Sequence, residues 1–211
     1  MKLIPPSVTI AAGRMAAPLF HPRVAAIVLP IAIILTLSGL PAAFHTVSRS
    51  APHSVVGVLS LILLAMFAHE LGHVSACEHC GVHPGEVGIA IYFLFPVLYA
   101  DVSRSWQLQR RHRLAVTSGG FYFQICGMAA AALWARVSGS AVANWFVFAN
   151  ALSIVHMLNP MFKMDGYWLL SDIAGIPNLH RRIGGAMREV VRAVVATLIR
   201  GRDAGSAHLH Q

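Results

Sequence analysis

Four long stretches of this sequence carry no Asp, Glu, Lys or Arg: Val24 to Phe44, Ser50 to Ala68, Leu114 to Ala135 and Val137 to Phe162. No other feature restricts the fold as much. About 20 residues of helix cross the hydrocarbon core of a bilayer, and a helix satisfies its own backbone polar groups there. Only 11% of the residues are charged and 56% are hydrophobic, whereas a soluble domain is about 25% charged. The expected fold class is an all-α polytopic membrane protein with about four transmembrane helices, near residues 24–44, 54–77, 114–135 and 137–162. The first stretch reads as a retained helix and not as a secretory signal. It is longer than a signal's apolar run, it begins after 23 residues, and "SGLPAAFH" is a weak cleavage site.

Around these spans the chain divides into residues 1–23, expected as a cytoplasmic N-terminal tail, a membrane-embedded core over 24–176, and a cytoplasmic amphipathic tail over 177–211. The tail holds "MREVVRAVVATLIRGR", basic and apolar at helical spacing, which suits a helix lying on a membrane surface. Between the second and third stretches, "VGIAIYFLFPVLYADVS" is apolar, β-branched and aromatic, and Pro96 interrupts it. It is expected as a short re-entrant strand or hairpin near the active site, since non-helical backbone at membrane depth survives only against protein or a wet cavity.

The net charge of +8 reads as topology. With four spans and the N-terminus inside, fourteen of the sixteen Lys and Arg fall in cytoplasmic segments, leaving Arg49 and Arg136 outside. A multi-pass protein of a bacterial inner membrane, with both termini cytoplasmic and the lipid bilayer as a partner, is the expectation. Nucleic acid is not an expected partner, because no basic patch alternates with aromatics in a soluble domain. Cys77 and Cys80 form a CxxC near His79 and His83, but no second ligand pair follows; a reduced pair of ordinary residues is expected.

The chemistry is concentrated in "FAHELGHVSACEH", residues 67–79. On a helix, residues four apart lie about 40° apart around the axis and roughly 6 Å along it, so His69 and His73 share a face and can grip one ion. Glu70 is rotated about 100° from His69, beside the ion, where it can act as general base toward a water. Ionisable groups in a membrane segment are costly and mark function.

A zinc hydrolase commonly uses three protein ligands. His79 stands at the spacing of the longer motif HExxHxxGxxH, but the turn-forming glycine of that motif is Ala76 here, a strong helix former. If the helix continues, His79 is about 240° around and some 9 Å beyond His73, out of reach. The other candidate is Asp165, in "HMLNPMFKMDGYWLLSD". There Asn159-Pro160 loosens the end of an apolar run and Gly166 permits a close turn.

HELGH on one hydrophobic helix, followed after further apolar segments by an NP…DG element, resembles the site-2 protease family of intramembrane zinc metalloproteases. The likeness covers about residues 54 to 182. It is closest to the bacterial peptide zinc metalloprotease branch, through "FPVLYADVSRSWQLQRRHRLAVTSGG", "LNPMFKMDGYWLLSD" and "IPNL" in that order. The resemblance implies one zinc ion held by His69, His73 and Asp165, with Glu70 as base and proton shuttle. It implies that Asn159 steadies substrate backbone or oxyanion. The chain departs from the family's central helix, where a glycine-proline pattern precedes an asparagine. "SGGFYFQ" keeps Gly119 but has Gly120 at the proline and Phe123 at the asparagine, while Gln124 is expected to face elsewhere.

The implied activity is hydrolysis of a membrane-spanning or exported peptide substrate. His69 lies far along its span toward the Arg-rich loop, which puts cleavage near the inner leaflet. Two alternatives stay open on the sequence. One is a non-proteolytic family member acting as accessory or immunity factor for peptide export; the other is a metal-binding or metal-transport membrane protein.

Overall fold

The computed structural model describes residues 1–49, 51–52, 54–92, 95–159 and 162–175. Met1–Leu169 forms one compact unit. The tail expected over 177–211 lies outside the described residues. The order of elements is β1 (Lys2–Ile4), α1 (Pro6–Ala16), α2 (Pro22–Arg49), α3 (Val55–His79), β2 (Val87–Tyr92), β3 (Phe95–Ala100), α4 (Arg110–Ser138), α5 (Ala141–Met157) and α6 (Asp165–Ala174), with short 3-10 turns at Ala17–Phe20 and Ser103–Gln107.

The molecule is mostly helical, and α2, α3 and α4 are each long and apolar enough to cross a membrane. Only 17% of the most apolar window of α2 and of α3 is buried inside the protein, against 50% for α4, so α4 is the central helix. Large apolar side chains such as Ile27, Ile34, Leu59 and Leu64 project outward instead. The fourth stretch forms α5, whose 17 residues cover about 26 Å, a little under the roughly 30 Å of a hydrocarbon core.

Local signals in the sequence set the helix ends. Ser54 accepts the Gly57 N–H at 3.0 Å and starts α3. Beyond His79 the chain closes with Val82 N–H on the Cys77 carbonyl at 3.0 Å and Gly81 at φ 80°, a left-handed end that glycine tolerates. Ser140 caps α5 through the Ala143 N–H at 3.3 Å.

The helices approach through small residues, as helices in lipid do. Where α3 crosses α4, Gly72 and Gly119 meet backbone to backbone; a Cβ on Gly119 would lie 2.6 Å from the Gly72 carbonyl oxygen. Gly39 of α2 rests on the Ala132 methyl of α4, 2.7 Å from where its own Cβ would stand. Below this crossing, Met128, Ala131 and Ala132 of α4 pack with Phe146 and Val147 of α5 and with Ala43 of α2.

The first 23 residues are not a free tail. Met1 exchanges main-chain hydrogen bonds with Ile89, which adds β1 to β2, and Lys2 pairs with Glu86 at 2.6 Å. Gly13 of α1 lies against Val74 of α3, and Arg14 bonds the buried Glu78 at 3.2 Å. These contacts are long-range, so the local patterning of the sequence held no sign of them.

β2 and β3 form an antiparallel hairpin in continuous register from Val87↔Ala100 to Tyr92↔Phe95, and the sheet order is β1-β2-β3. Beside β3, the Asp101 N–H donates to the Glu86 carbonyl at 2.9 Å, toward the β2 side. Peptide groups alternate sides along a strand, so Pro96, Leu98 and Ala100 turn theirs to the outer edge. Pro96 thus lacks its N–H where no ladder bond is lost.

Candidate metal centre

The α3 helix runs unbroken from Val55 to His79, which brings His69 and His73 onto the face that meets α4. The start of α6 delivers Asp165 to the same place. Gly166 makes that possible: it lies so close to the Leu158 and Met157 backbone at the end of α5 that a side chain there would collide with it.

Three donor atoms converge. His69 Nε2 lies 2.8 Å from Asp165 Oδ2, His73 Nε2 lies 3.3 Å from the same oxygen, and the two Nε2 atoms are 3.1 Å apart. A tetrahedral ion with ligands at about 2.0 Å holds its donors about 3.3 Å apart, close to this triangle. Among the described residues, these three make the one group of His, Cys, Asp or Glu suited to a metal. Both histidines are buried, and the carboxylate is about a quarter exposed, at 27%. Burial pushes the Asp165 carboxyl up, but the imidazoles of His73 and His69 outweigh it and hold the group below the usual carboxylate range. Three electron-pair donors aimed at one point need a proton or a metal cation among them, and in number, type and spacing this set fits a metal ion.

The space for an ion comes from Gly120. A Cβ at that position would lie 2.5 Å from His69 Nε2 and 2.6 Å from His73 Nε2, filling the centre of the cradle.

The outer nitrogens are occupied. His73 Nδ1 lies 2.8 Å from the Val116 carbonyl, and His69 Nδ1 lies 3.3 Å from Gln124 Oε1. Val116, Gly120 and Gln124 recur every four residues and so share the face of α4 that looks at α3. Gln124 was expected to face elsewhere; instead Phe123 turns away to stack on Phe20 at a 5.8 Å ring separation, and Gln124 enters the site. Behind it, Gln124 Nε2 donates to Asn150 Oδ1 at 3.1 Å. The signal for both amides was present: each is a polar side chain inside a charge-free apolar stretch.

Glu70, half-buried, is one residue from His69, and the backbone N–H of Ala100 at the end of β3 donates to its carboxylate. The general-base candidate thus lies against the outer edge of β3. Asn159 lies just past α5, with its N–H on the His156 carbonyl at 3.1 Å. His79 sits in the last turn of α3 with its ring 6.4 Å from that of Phe20, outside the donor triangle. Cys77 and Cys80 are free thiols. Nearby His83 Nδ1 lies 2.7 Å from Glu78, which also pairs with Arg14; neither belongs to the metal group.

Comparison of the chain with family models, curated proteins and solved structures returned no match.

Proposed function

We propose that this chain is an intramembrane zinc metalloprotease of the site-2 protease kind, akin to the bacterial peptide zinc metalloproteases, acting on a membrane-associated or transmembrane peptide. The observation that carries the reading is the convergence of His69, His73 and Asp165 beside Glu70, on a helix apolar enough to span a bilayer. Zinc held by these three residues supplies a Lewis acid that polarises a carbonyl and acidifies water.

The residues of the chain do the rest. The Glu70 carboxylate takes a proton from the attacking water and returns it to the amine nitrogen of the leaving peptide. The Ala100 N–H keeps that carboxylate oriented. A substrate helix must first unwind, because its carbonyls are tied up in intrahelical hydrogen bonds; the outer edge of β3, at Leu98, receives the extended segment by strand addition. β1 covers the opposite edge of the sheet, so β3 is the side left for an incoming strand. Asn159 donates its side-chain amide to the substrate backbone or to the developing oxyanion.

In this reading α5 is a fourth, short crossing and the β2–β3 hairpin re-enters the membrane. Both termini are cytoplasmic and cleavage occurs near the inner leaflet. The test is cleavage of a panel of single-span peptides by the purified chain in detergent, wild type against Glu70→Gln. Cleavage by wild type alone supports the reading. Zinc binding with no cleavage of any peptide by either protein points to the non-proteolytic alternative.

A further inference from the structure

For His69 and His73 to offer Nε2 to a common point, both rings must carry their proton on Nδ1. At His73 a main-chain group decides this. The Val116 carbonyl can only accept, so Nδ1 is the protonated nitrogen. At His69 the partner is Gln124, and an amide taken alone can present either its oxygen or its amino end.

The ambiguity ends two residues further out. Asn150 Nδ2 donates to the Phe146 carbonyl at 3.1 Å, and a carbonyl admits no other polarity. Asn150 therefore turns its oxygen to Gln124, and Gln124 must answer with its amino group. That leaves Gln124 Oε1 for His69, which can satisfy it only with a proton on Nδ1. Reversing either amide would set oxygen against oxygen or amino group against amino group. Gln124 and Asn150 are 6% and 4% exposed, so water is not at hand to repair the mismatch.

We propose that Gln124 and Asn150 form a relay that anchors the His69 tautomer to the Phe146 carbonyl, holding Nε2 ready for a metal. Both are positioning residues, since neither belongs to the donor triangle. The metal part of this inference rests on the reading of the site as a zinc centre; the tautomer part does not.

The experiment uses the full chain in detergent. Zinc affinity is measured by competition with a chromophoric chelator for wild type, Gln124→Leu, Asn150→Leu and the double variant. Nitrogen NMR of the metal-free wild type reports the His69 tautomer. Each single variant is expected to weaken zinc about 10- to 100-fold, the usual effect of losing an outer partner of a ligating histidine. The double variant should bind no more weakly than Gln124→Leu, because the relay is already cut. Metal-free His69 should be protonated on Nδ1. An Asn150→Leu variant that melts earlier yet binds zinc within about two-fold of wild type would overturn the relay, as would fully multiplicative effects in the double variant. So would a His69 protonated on Nε2 alone, with none on Nδ1, a result that needs no variant to fold. If wild type binds no metal but His69 carries its proton on Nδ1, the relay stands and the zinc reading fails.

Discussion

Gly120 of α4 abuts His69 of α3 so tightly that a Cβ on the glycine would lie 2.5 Å from the imidazole Nε2. The cradle between the two histidines exists because this position has no side chain. Gly120→Ala is therefore expected to cut zinc stoichiometry well below one ion per chain, read by metal analysis of the purified protein. Gly127→Ala is the control, because a Cβ there meets nothing within 4 Å. Equal zinc content in the two variants would mean that the donors do not meet as described.

The crossing of α3 and α4 at Gly72 and Gly119 predicts a different kind of loss. Gly119→Val forces its Cβ onto the Gly72 carbonyl and onto Ala76, and no flexible side chain is there to move aside. Overpacking of this kind costs about 1–3 kcal/mol. Thermal unfolding in detergent should show a lower midpoint for Gly119→Val, while Gly127→Ala remains near wild type.

Asp165 and Asn159 separate in what they control. Asp165→Asn replaces a charged ligand with a neutral amide and should weaken zinc by more than the roughly 10- to 100-fold expected for an outer hydrogen-bond partner. Asn159→Ala should leave zinc content unchanged and lower kcat by about 10²–10³, the range seen when an oxyanion donor is removed. Metal analysis and steady-state cleavage on the same preparations distinguish the two. Full zinc affinity in Asp165→Asn would remove Asp165 from the ligand set.

The outer edge of β3 gives a fourth contrast. Leu98 turns its N–H away from β2, so Leu98→Pro deletes a bond to an incoming strand without breaking the hairpin ladder. One lost hydrogen bond of about 0.5–1.5 kcal/mol corresponds to roughly a 2- to 10-fold fall in kcat/KM, with zinc content unchanged. Val97→Pro, whose N–H faces β2, should instead destabilise the hairpin itself.

Much of this was legible in the residues because it rests on helical periodicity. The four-residue spacing of His69 and His73 survives in the folded chain, and Ala76 lets α3 run on so that His79 passes out of reach. The charge-free stretches mark the helices, and Pro96 fits its outer edge. What was not legible depends on contacts between distant segments. Gln124 follows an aromatic residue in an apolar stretch, and only its place four residues beyond Gly120 puts it on the face toward His69. The N-terminal residues gave no periodic signal at all. Their place is fixed by Met1 pairing with Ile89 and by Arg14 reaching Glu78, partners more than sixty residues away.

The most direct measurement is a metal titration of activity. The purified chain is stripped with a chelator, zinc is returned in steps, and cleavage of a susceptible single-span peptide is followed for wild type and Glu70→Gln. Wild-type cleavage should be absent without metal and reach its full rate at one zinc per chain, while Glu70→Gln binds one zinc and does not cleave. Cleavage by the metal-free chain, or equal cleavage by Glu70→Gln, would contradict a zinc-dependent peptidase that uses Glu70 as its base.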